Sequence, residues 1–193
     1  MSFASFVENC HPMEPAATME PKDEEREITR YEDLRSCANR ALWTIDLQIR
    51  RLRNFAADPE TGNQFVLQPV SDAEFLILSL DRLLAVSRLI DPMTAGSLRP
   101  AMADFERQLP HLRPARNVVS HIDEYLSGKG KNKSVRVGAL SVAVLDPNRL
   151  IFSDFEFNLD AAQSVAEALF SAIQSNVPVS VKNRMRHIGK SRR

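Results

Sequence analysis

Cysteine and the other residues that mark metal sites are scarce in this chain. Its 193 residues include two cysteines and four histidines. Cys10 and Cys37 form no CxxC pair, and no cysteine–histidine cluster has the spacing of a zinc site. Two free thiols in a reducing compartment are the simplest interpretation, because disulfides are rare there. We therefore expect no metal and no other cofactor.

Long apolar runs and an excess of one charge are missing as well. Basic and acidic residues number 25 each, so the formal net charge is zero and does not by itself predict nucleic-acid binding. No apolar run approaches the roughly 20 residues that span a bilayer. The N-terminus has no basic segment followed by an apolar one, as a secretory signal would. We therefore expect a cytoplasmic protein without membrane contacts.

The distribution of charge and proline divides the chain into three segments. Residues 1–22 combine prolines with small and acidic residues, which is typical of a flexible arm. Residues 23–176 have the periodicity of one helical domain. Residues 177–193 form a basic C-terminal tail, which is either a nucleic-acid-binding arm or a disordered solubility tail.

Helical periodicity covers most of the middle segment. Apolar residues recur at spacings of three, four and seven from Asp23, and the turn sequence at 58–63 ends this first helix. The capping box Ser71–Glu74 predicts the start of a strongly apolar, buried second helix. A short helix follows at 100–109, and a last one begins at Asp160, which can cap it.

Two runs rich in valine and phenylalanine break this helical pattern. They cover 134–145 and 150–159 and flank an Asp-Pro-Asn turn, which predicts a β-hairpin. An isolated hairpin is marginally stable, so it should pack on the helices or on a partner. The predicted fold is therefore mainly α, a four-to-five-helix bundle with one inserted β-hairpin at about 134–159.

The stretch 113–131, RPARNVVSHIDEYLSGKGK, predicts one amphipathic helix that begins near Pro114 and ends at its glycines. On a helical wheel of 115–126 the apolar stripe contains Ala115, Val118, Val119, Ile122 and Leu126, with Tyr125 at its border. The opposite face is polar and contains Arg116, Asn117, Ser120, His121, Asp123 and Glu124. His121 therefore belongs to a polar face and not to the core.

The polar face has the residue types that phosphodiester cleavage needs. A histidine transfers protons near neutral pH, and a guanidinium neutralises charge on phosphate. Asn117 and His121 are i and i+4, so they can touch, but Arg116 and His121 lie about 140° apart. Two such helices across a two-fold axis could complete one site. The alternative is a solvated face, in which Glu124 pairs with Arg116 or a lysine.

The segment Arg-Asn-Val-Val-Ser-His is an Arg-x4-His motif, and it resembles the signature of the HEPN superfamily. These helical-bundle proteins include metal-independent endoribonucleases, among them toxins of toxin–antitoxin pairs and antiviral effectors. The resemblance implies a composite site in a homodimer, RNA as substrate and a protein antitoxin or regulator as partner. It also implies that His121 acts as general acid or base, that Arg116 holds the scissile phosphate, and that Asn117 orients His121 or binds phosphate.

A glycine-punctuated basic loop, 128–136, follows this motif. Four cations could follow a nucleic-acid backbone: Lys129, Lys131, Lys133 and Arg136. A solvated connection is the alternative, and the spacing of a phosphate-binding Walker loop is missing. Ser120 and Glu124 are auxiliary candidates for the chemistry. A helical interaction protein or a nucleic-acid binder without catalysis remains the alternative function.

Overall fold

The computed structural model describes residues 21–55, 68–133, 135 and 142–190. The predicted N-terminal arm up to residue 20, the turn at 58–63 and Arg136 lie outside these ranges. The helices and strands are α1 (Pro21–Arg53), α2 (Gln68–Ile90), α3 (Arg99–Gln108), α4 (Leu112–Ser120), α5 (Ile122–Leu126), β1 (Val142–Asp146), β2 (Arg149–Phe152), β3 (Phe155–Asn158), α6 (Leu159–Ser175) and α7 (Val179–Lys190).

The two longest helices, α1 and α2, form the centre of the bundle. Arg51 near the end of α1 binds Asp72 near the start of α2 at 3.1 Å, so the two helices run antiparallel. Helix α6 packs against α1, α2 and α3, and α4 packs against α2. The buried apolar residues of all these elements form one continuous core. Burial of this apolar surface is the main favourable contribution to the stability of the bundle.

Helix α2 begins earlier than the sequence predicts. It starts at Gln68, three residues before Ser71, so the predicted capping box is wrong. Pro69 lies in the first turn, where its missing N–H costs no hydrogen bond. Asp72 accepts hydrogen bonds from Arg51 at 3.1 Å and from Gln68 at 3.4 Å. The start of α2 is therefore tied to the end of α1 through Asp72.

The inserted β structure is an antiparallel sheet in the order β1-β2-β3. Ser153 adopts a positive φ of 55°, and this turn splits the second predicted run into two paired strands. Leu150 lies opposite Phe157, and Phe152 lies opposite Phe155, and all four side chains are buried. The mainly α fold with an inserted hairpin is confirmed. The sheet has a third strand because Ser153 reverses the chain once more.

The cap of helix α6 is also different from the predicted one. Asn158, in an extended conformation, accepts a hydrogen bond from the Ala161 N–H at 2.8 Å, whereas Asp160 forms an ion pair with Arg53 of α1. The prediction of Asp160 as the cap is therefore wrong, because α6 begins one residue earlier, at Leu159. The capping position precedes the first helical residue, and here it is an asparagine.

The basic C-terminal segment begins as helix α7, and Val181 in its first turn is buried. A disordered tail is therefore the wrong description for the part of this segment up to Lys190. None of the helices in the described part of the chain is long and apolar enough to cross a membrane. Cys37, on α1, is a free thiol, and Cys10 lies outside the described residues.

We expect Asn158→Ala to lower the free energy of unfolding by about 1 kcal/mol, because the Ala161 N–H would lose its acceptor. Asn158→Asp keeps a capping oxygen and should leave the stability within a few tenths of a kcal/mol. Urea unfolding followed by circular dichroism measures both variants. Equal stability of wild type and Asn158→Ala would contradict this assignment of the cap.

Candidate functional site

The motif segment forms two helices instead of the predicted single one. Helix α4 ends at Ser120, and His121 has non-helical angles of φ −128° and ψ 37° before α5 begins. The prediction of one continuous helix over 115–126 is therefore wrong. Val118 and Val119 are poor helix formers, so ending α4 early costs little free energy. His121 thus lies at a helix junction, where its direction differs from that of an ordinary helical residue.

The break changes which residues of α5 are buried. Tyr125, predicted at the border of the apolar stripe, is buried with 6% of its surface exposed, whereas Leu126, predicted within the stripe, is 58% exposed. Ala115 and Val118 on α4 are buried, as predicted. The apolar faces of the two short helices are therefore out of phase with each other. Burial of the Tyr125 ring favours this arrangement over a continuous helix.

The loop after α5 folds back onto Tyr125. The Tyr125 hydroxyl accepts a hydrogen bond from the Asn132 backbone N–H at 3.3 Å. Gly130 is buried against the ring, and a Cβ added there would lie 2.4 Å from a ring carbon. Gly128 has a positive φ of 72°, which permits the reversal of the chain. The loop is therefore held by specific contacts and not a free connection.

A small cavity of about 160 Å³ lies between α4, α5 and this loop. Asn117, His121, Glu124 and Lys131 line it, together with Pro114, Tyr125 and Asn132. His121 is exposed, and its Nδ1 lies 3.5 Å from a Glu124 carboxylate oxygen. The cavity thus combines a group that can transfer protons, a carboxylate beside it and a cation. These are the components of an acid–base site for an anionic substrate.

Arg116 lies on the other side of Asn117. Its Nε donates to Asp81 of α2 at 3.1 Å, and one terminal nitrogen donates to the Asn117 side-chain oxygen at 3.3 Å. Arg116 lines a larger groove of about 570 Å³ between α2, α3 and α4. Arg88, Arg113, Asp81 and Glu106 also line this groove, above a floor of apolar residues. Its rim therefore has three arginines and two acids.

The three predicted catalytic residues are therefore connected but divided between two cavities. Asn117 accepts the hydrogen bond of Arg116 and lines the His121 cavity. Arg116 and His121 do not line the same cavity, in agreement with their separation on the helical wheel. Ser120 is exposed and is not among the residues that line either cavity. Within one chain, the Arg116 guanidinium and the His121 imidazole therefore do not line a common cavity in which both could contact one phosphate.

Asp81 is a site residue that our sequence reasoning missed. The sequence signal for it is weak: an acid inside the apolar run FLILSLDRLLAVSRLI of α2. Its carboxylate holds the guanidinium of Arg116 and so fixes the direction of that side chain. The suggested pairing of Glu124 with Arg116 is therefore wrong, because Asp81 binds Arg116 and Glu124 faces His121.

The lysines of the basic loop have different surroundings. Lys131 lines the His121 cavity, and the Lys133 ammonium donates to the Gly128 carbonyl at 3.2 Å. Lys129 is exposed, and Arg136 lies outside the described residues. Lys131 is therefore the loop cation that lies beside His121. The described residues contain no group of three or more histidines, cysteines and acids that could hold a metal ion.

We expect Gly130→Ala to lower the free energy of unfolding by about 1–3 kcal/mol, because the new methyl group would overlap the Tyr125 ring. Lys129→Ala, at an exposed neighbouring position, is the matched control and should leave the stability unchanged within about 0.5 kcal/mol. Urea unfolding of both variants provides the measurement. A fully stable Gly130→Ala protein would show that the loop does not depend on its contact with Tyr125.

Comparison with known proteins does not extend the resemblance noted from the motif. No protein-family model, no curated protein and no solved structure matches this chain. The resemblance to the HEPN superfamily therefore depends on the six residues Arg116–His121 and on their helical context.

Proposed function

We propose that this protein is a metal-independent endoribonuclease that cleaves RNA by acid–base catalysis at a composite site between two copies. The observation that carries the proposal is the cavity shared by Asn117, His121 and Lys131, with Arg116 hydrogen-bonded to Asn117 at its edge. Independence of metal is what the resemblance to HEPN ribonucleases implies. The geometry adds an exposed histidine beside cations, which suits an anionic substrate.

The proposed reaction uses the RNA itself as nucleophile. His121 removes the proton of a 2′-hydroxyl, and the 2′-oxygen attacks the adjacent phosphorus. The bond from phosphorus to the 5′-oxygen breaks, and a protonated histidine supplies a proton to this leaving oxygen. The products are a 2′,3′-cyclic phosphate and a 5′-hydroxyl. Arg116 stabilises the charge that develops on the phosphate oxygens.

Two copies are required because Arg116 and His121 of one chain line different cavities. A two-fold axis near α4 would bring Arg116 of one copy towards His121 of the other. The same His121, protonated by the 2′-hydroxyl, then gives this proton to the leaving oxygen. The proposed location is the cytoplasm, and the proposed regulator is a protein antitoxin or a similar inhibitor.

A nucleic-acid binder without catalysis is the second candidate function. Arg116 is held by Asp81 within its own chain, and such a paired arginine can contact phosphate without taking part in chemistry. Exposed Lys129 and the basic helix α7 would add charge contacts. This candidate predicts RNA affinity that falls steeply with salt in a protein that leaves the RNA intact.

We expect purified wild-type protein to cleave total RNA in EDTA, and His121→Ala to reduce the rate by about 10²–10⁴-fold, since the proton-transfer group is lost. His111→Ala is the matched control, because His111 is also exposed, precedes α4 and lines neither cavity. Gel analysis and end-labelling measure the rate and the expected 5′-hydroxyl termini. A His121→Ala protein that cuts at the wild-type rate would refute the proposed role of His121.

Asp81→Asn tests the positioning of Arg116. The substitution removes a negative charge, so RNA should bind more tightly. It also weakens the contact that orients the Arg116 guanidinium, so kcat should fall. Asp104→Asn is the control, because Asp104 is an acid of α3 that pairs with Arg107, away from the site. Binding and single-turnover cleavage are measured separately for each variant. Unchanged kcat in Asp81→Asn would mean that Asp81 does not position a catalytic group.

A further inference from the structure

Exposed apolar side chains gather on the outer surface of α1 and α2. Trp43 on α1 is 68% exposed, and Phe75 on α2 is 55% exposed. Leu47 on α1 and Leu89 on α2 are exposed as well. Exposed apolar groups that gather on one surface are typical of interaction sites, whereas single ones are not. This surface of the bundle therefore has the composition of an interface.

The outer surface of α2 has a regular spacing. Phe75, Leu78, Arg82, Ala85 and Leu89 follow one another at intervals of three and four residues, and all are exposed except the half-buried Leu78. With Ser71 this row is about 27 Å long. Such a spacing forms one straight face that packs along a second helix. We call this row the α2 face.

Two large exposed apolar residues lie on α1, the helix that packs against α2. Leu47 lies one turn before Arg51, which binds Asp72 of α2, and Leu47 is exposed. Trp43 lies one further turn away in the same row. Both neighbouring helices therefore have large exposed apolar side chains.

The charges on and beside the α2 face are complementary to their own antiparallel copy. Asp81 and Arg82 lie midway between Phe75 and Leu89, and Glu74 and Arg88 lie seven residues on either side of Asp81. An antiparallel pair of α2 helices would bring Glu74 near Arg88, Asp81 near Arg82 and Phe75 near Leu89, each within one residue of a common register, while Arg88 also pairs with Glu106 and Asp81 with Arg116 of its own chain. A parallel pair would oppose like charges, which is unfavourable. Self-complementarity of this kind is the requirement for a two-fold interface.

Glu74 provides a separate observation. It is half-buried, and this burial raises the pKa of its carboxyl above the ordinary value. Among the residues that the structure describes, no cation forms an ion pair with it. A guanidinium of another molecule would therefore compensate a carboxylate that has no ion-pair partner among the described residues.

We propose that the α2 face is the homodimer interface, with two copies of α2 packed antiparallel and the two-fold axis beside Asp81 and Arg82. The inference deepens the proposed function and rests on it for its catalytic meaning, because that function needs two copies and places their axis near α4 without naming the surfaces in contact. Arg116 binds Asp81, so the axis would lie between the two copies of Arg116. The phosphate-binding groups of both chains would then face one shared surface.

The test begins with the oligomeric state of the full chain, measured by sedimentation over a concentration series. The wild type should be a dimer, and Phe75→Glu should raise the dimer Kd by at least about 30-fold, because it replaces an aromatic contact of the interface with a charge. Leu126→Glu is the matched control, with a similarly exposed apolar residue outside the face. Circular dichroism confirms that both variants fold. A monomeric wild type, or a Phe75→Glu dimer of unchanged Kd, would overturn the proposal.

A crosslink locates the axis. Arg82→Cys, in a Cys10→Ser and Cys37→Ser background, should be joined to its own copy by a short bismaleimide. Ser175→Cys is the control: position 175 is exposed at the end of α6, and this variant should not be crosslinked to its own copy. A dimer that fails to crosslink at position 82 overturns this inference, yet leaves the proposed ribonuclease intact if it still cleaves RNA. A dimer that crosslinks there without cleaving RNA supports the interface and counts against the ribonuclease.

Discussion

The packing of α2 against its neighbours is the interaction on which the remaining structure depends. Helices α1, α3, α4 and α6 and strands β1 and β2 all contact α2. Its buried side chains cover about half of the helix circumference, from Ala73 near the start to Ile90 at the end. The α2 face, apart from the half-buried Leu78, is exposed to solvent together with Arg88 beside it. Removing the apolar surface of α2 from water stabilises the bundle by about 25 cal/mol for each Å² buried.

The same packing determines where the candidate site lies. Asp81 projects from the edge of the α2 face towards α4, and there it holds Arg116. The break at His121 then turns the following residues so that Tyr125 enters the core and Gly130 can close onto it. The cavity around His121 is a consequence of these two contacts. Its geometry therefore depends on residues that carry no chemistry of their own.

Sequence reasoning identified the features that depend on local pattern. Periodicity predicted the long helices, and alternation in 150–159 predicted strands whose Phe155 and Phe157 side chains are buried. It also identified the polar composition of the Arg116–His121 segment and the separation of Arg116 from His121. These features follow from neighbours in the sequence, which is why a single sequence is sufficient to predict them.

The features that sequence reasoning missed depend on contacts between distant residues. The end of α4 at His121 reflects the burial of Tyr125, and the role of Asp81 depends on α4 lying beside α2. Helix α2 extends back to Gln68, where Asp72 meets Arg51 of another helix. Asn158 replaced Asp160 as a cap because the chain enters α6 directly from β3. No local pattern contains these partners, so tertiary contacts outweighed propensity in each case.

Subunit complementation tests the central claim, a site that combines Arg116 of one copy with His121 of the other. Arg116→Ala and His121→Ala proteins are inactive alone in this account, and mixing them by unfolding and refolding forms heterodimers. About half of the dimers would be mixed, each with one intact site, so about a quarter of the wild-type cleavage in EDTA should return. If the wild-type dimer cleaves RNA but the mixture is as inactive as its two components, the result would contradict the account.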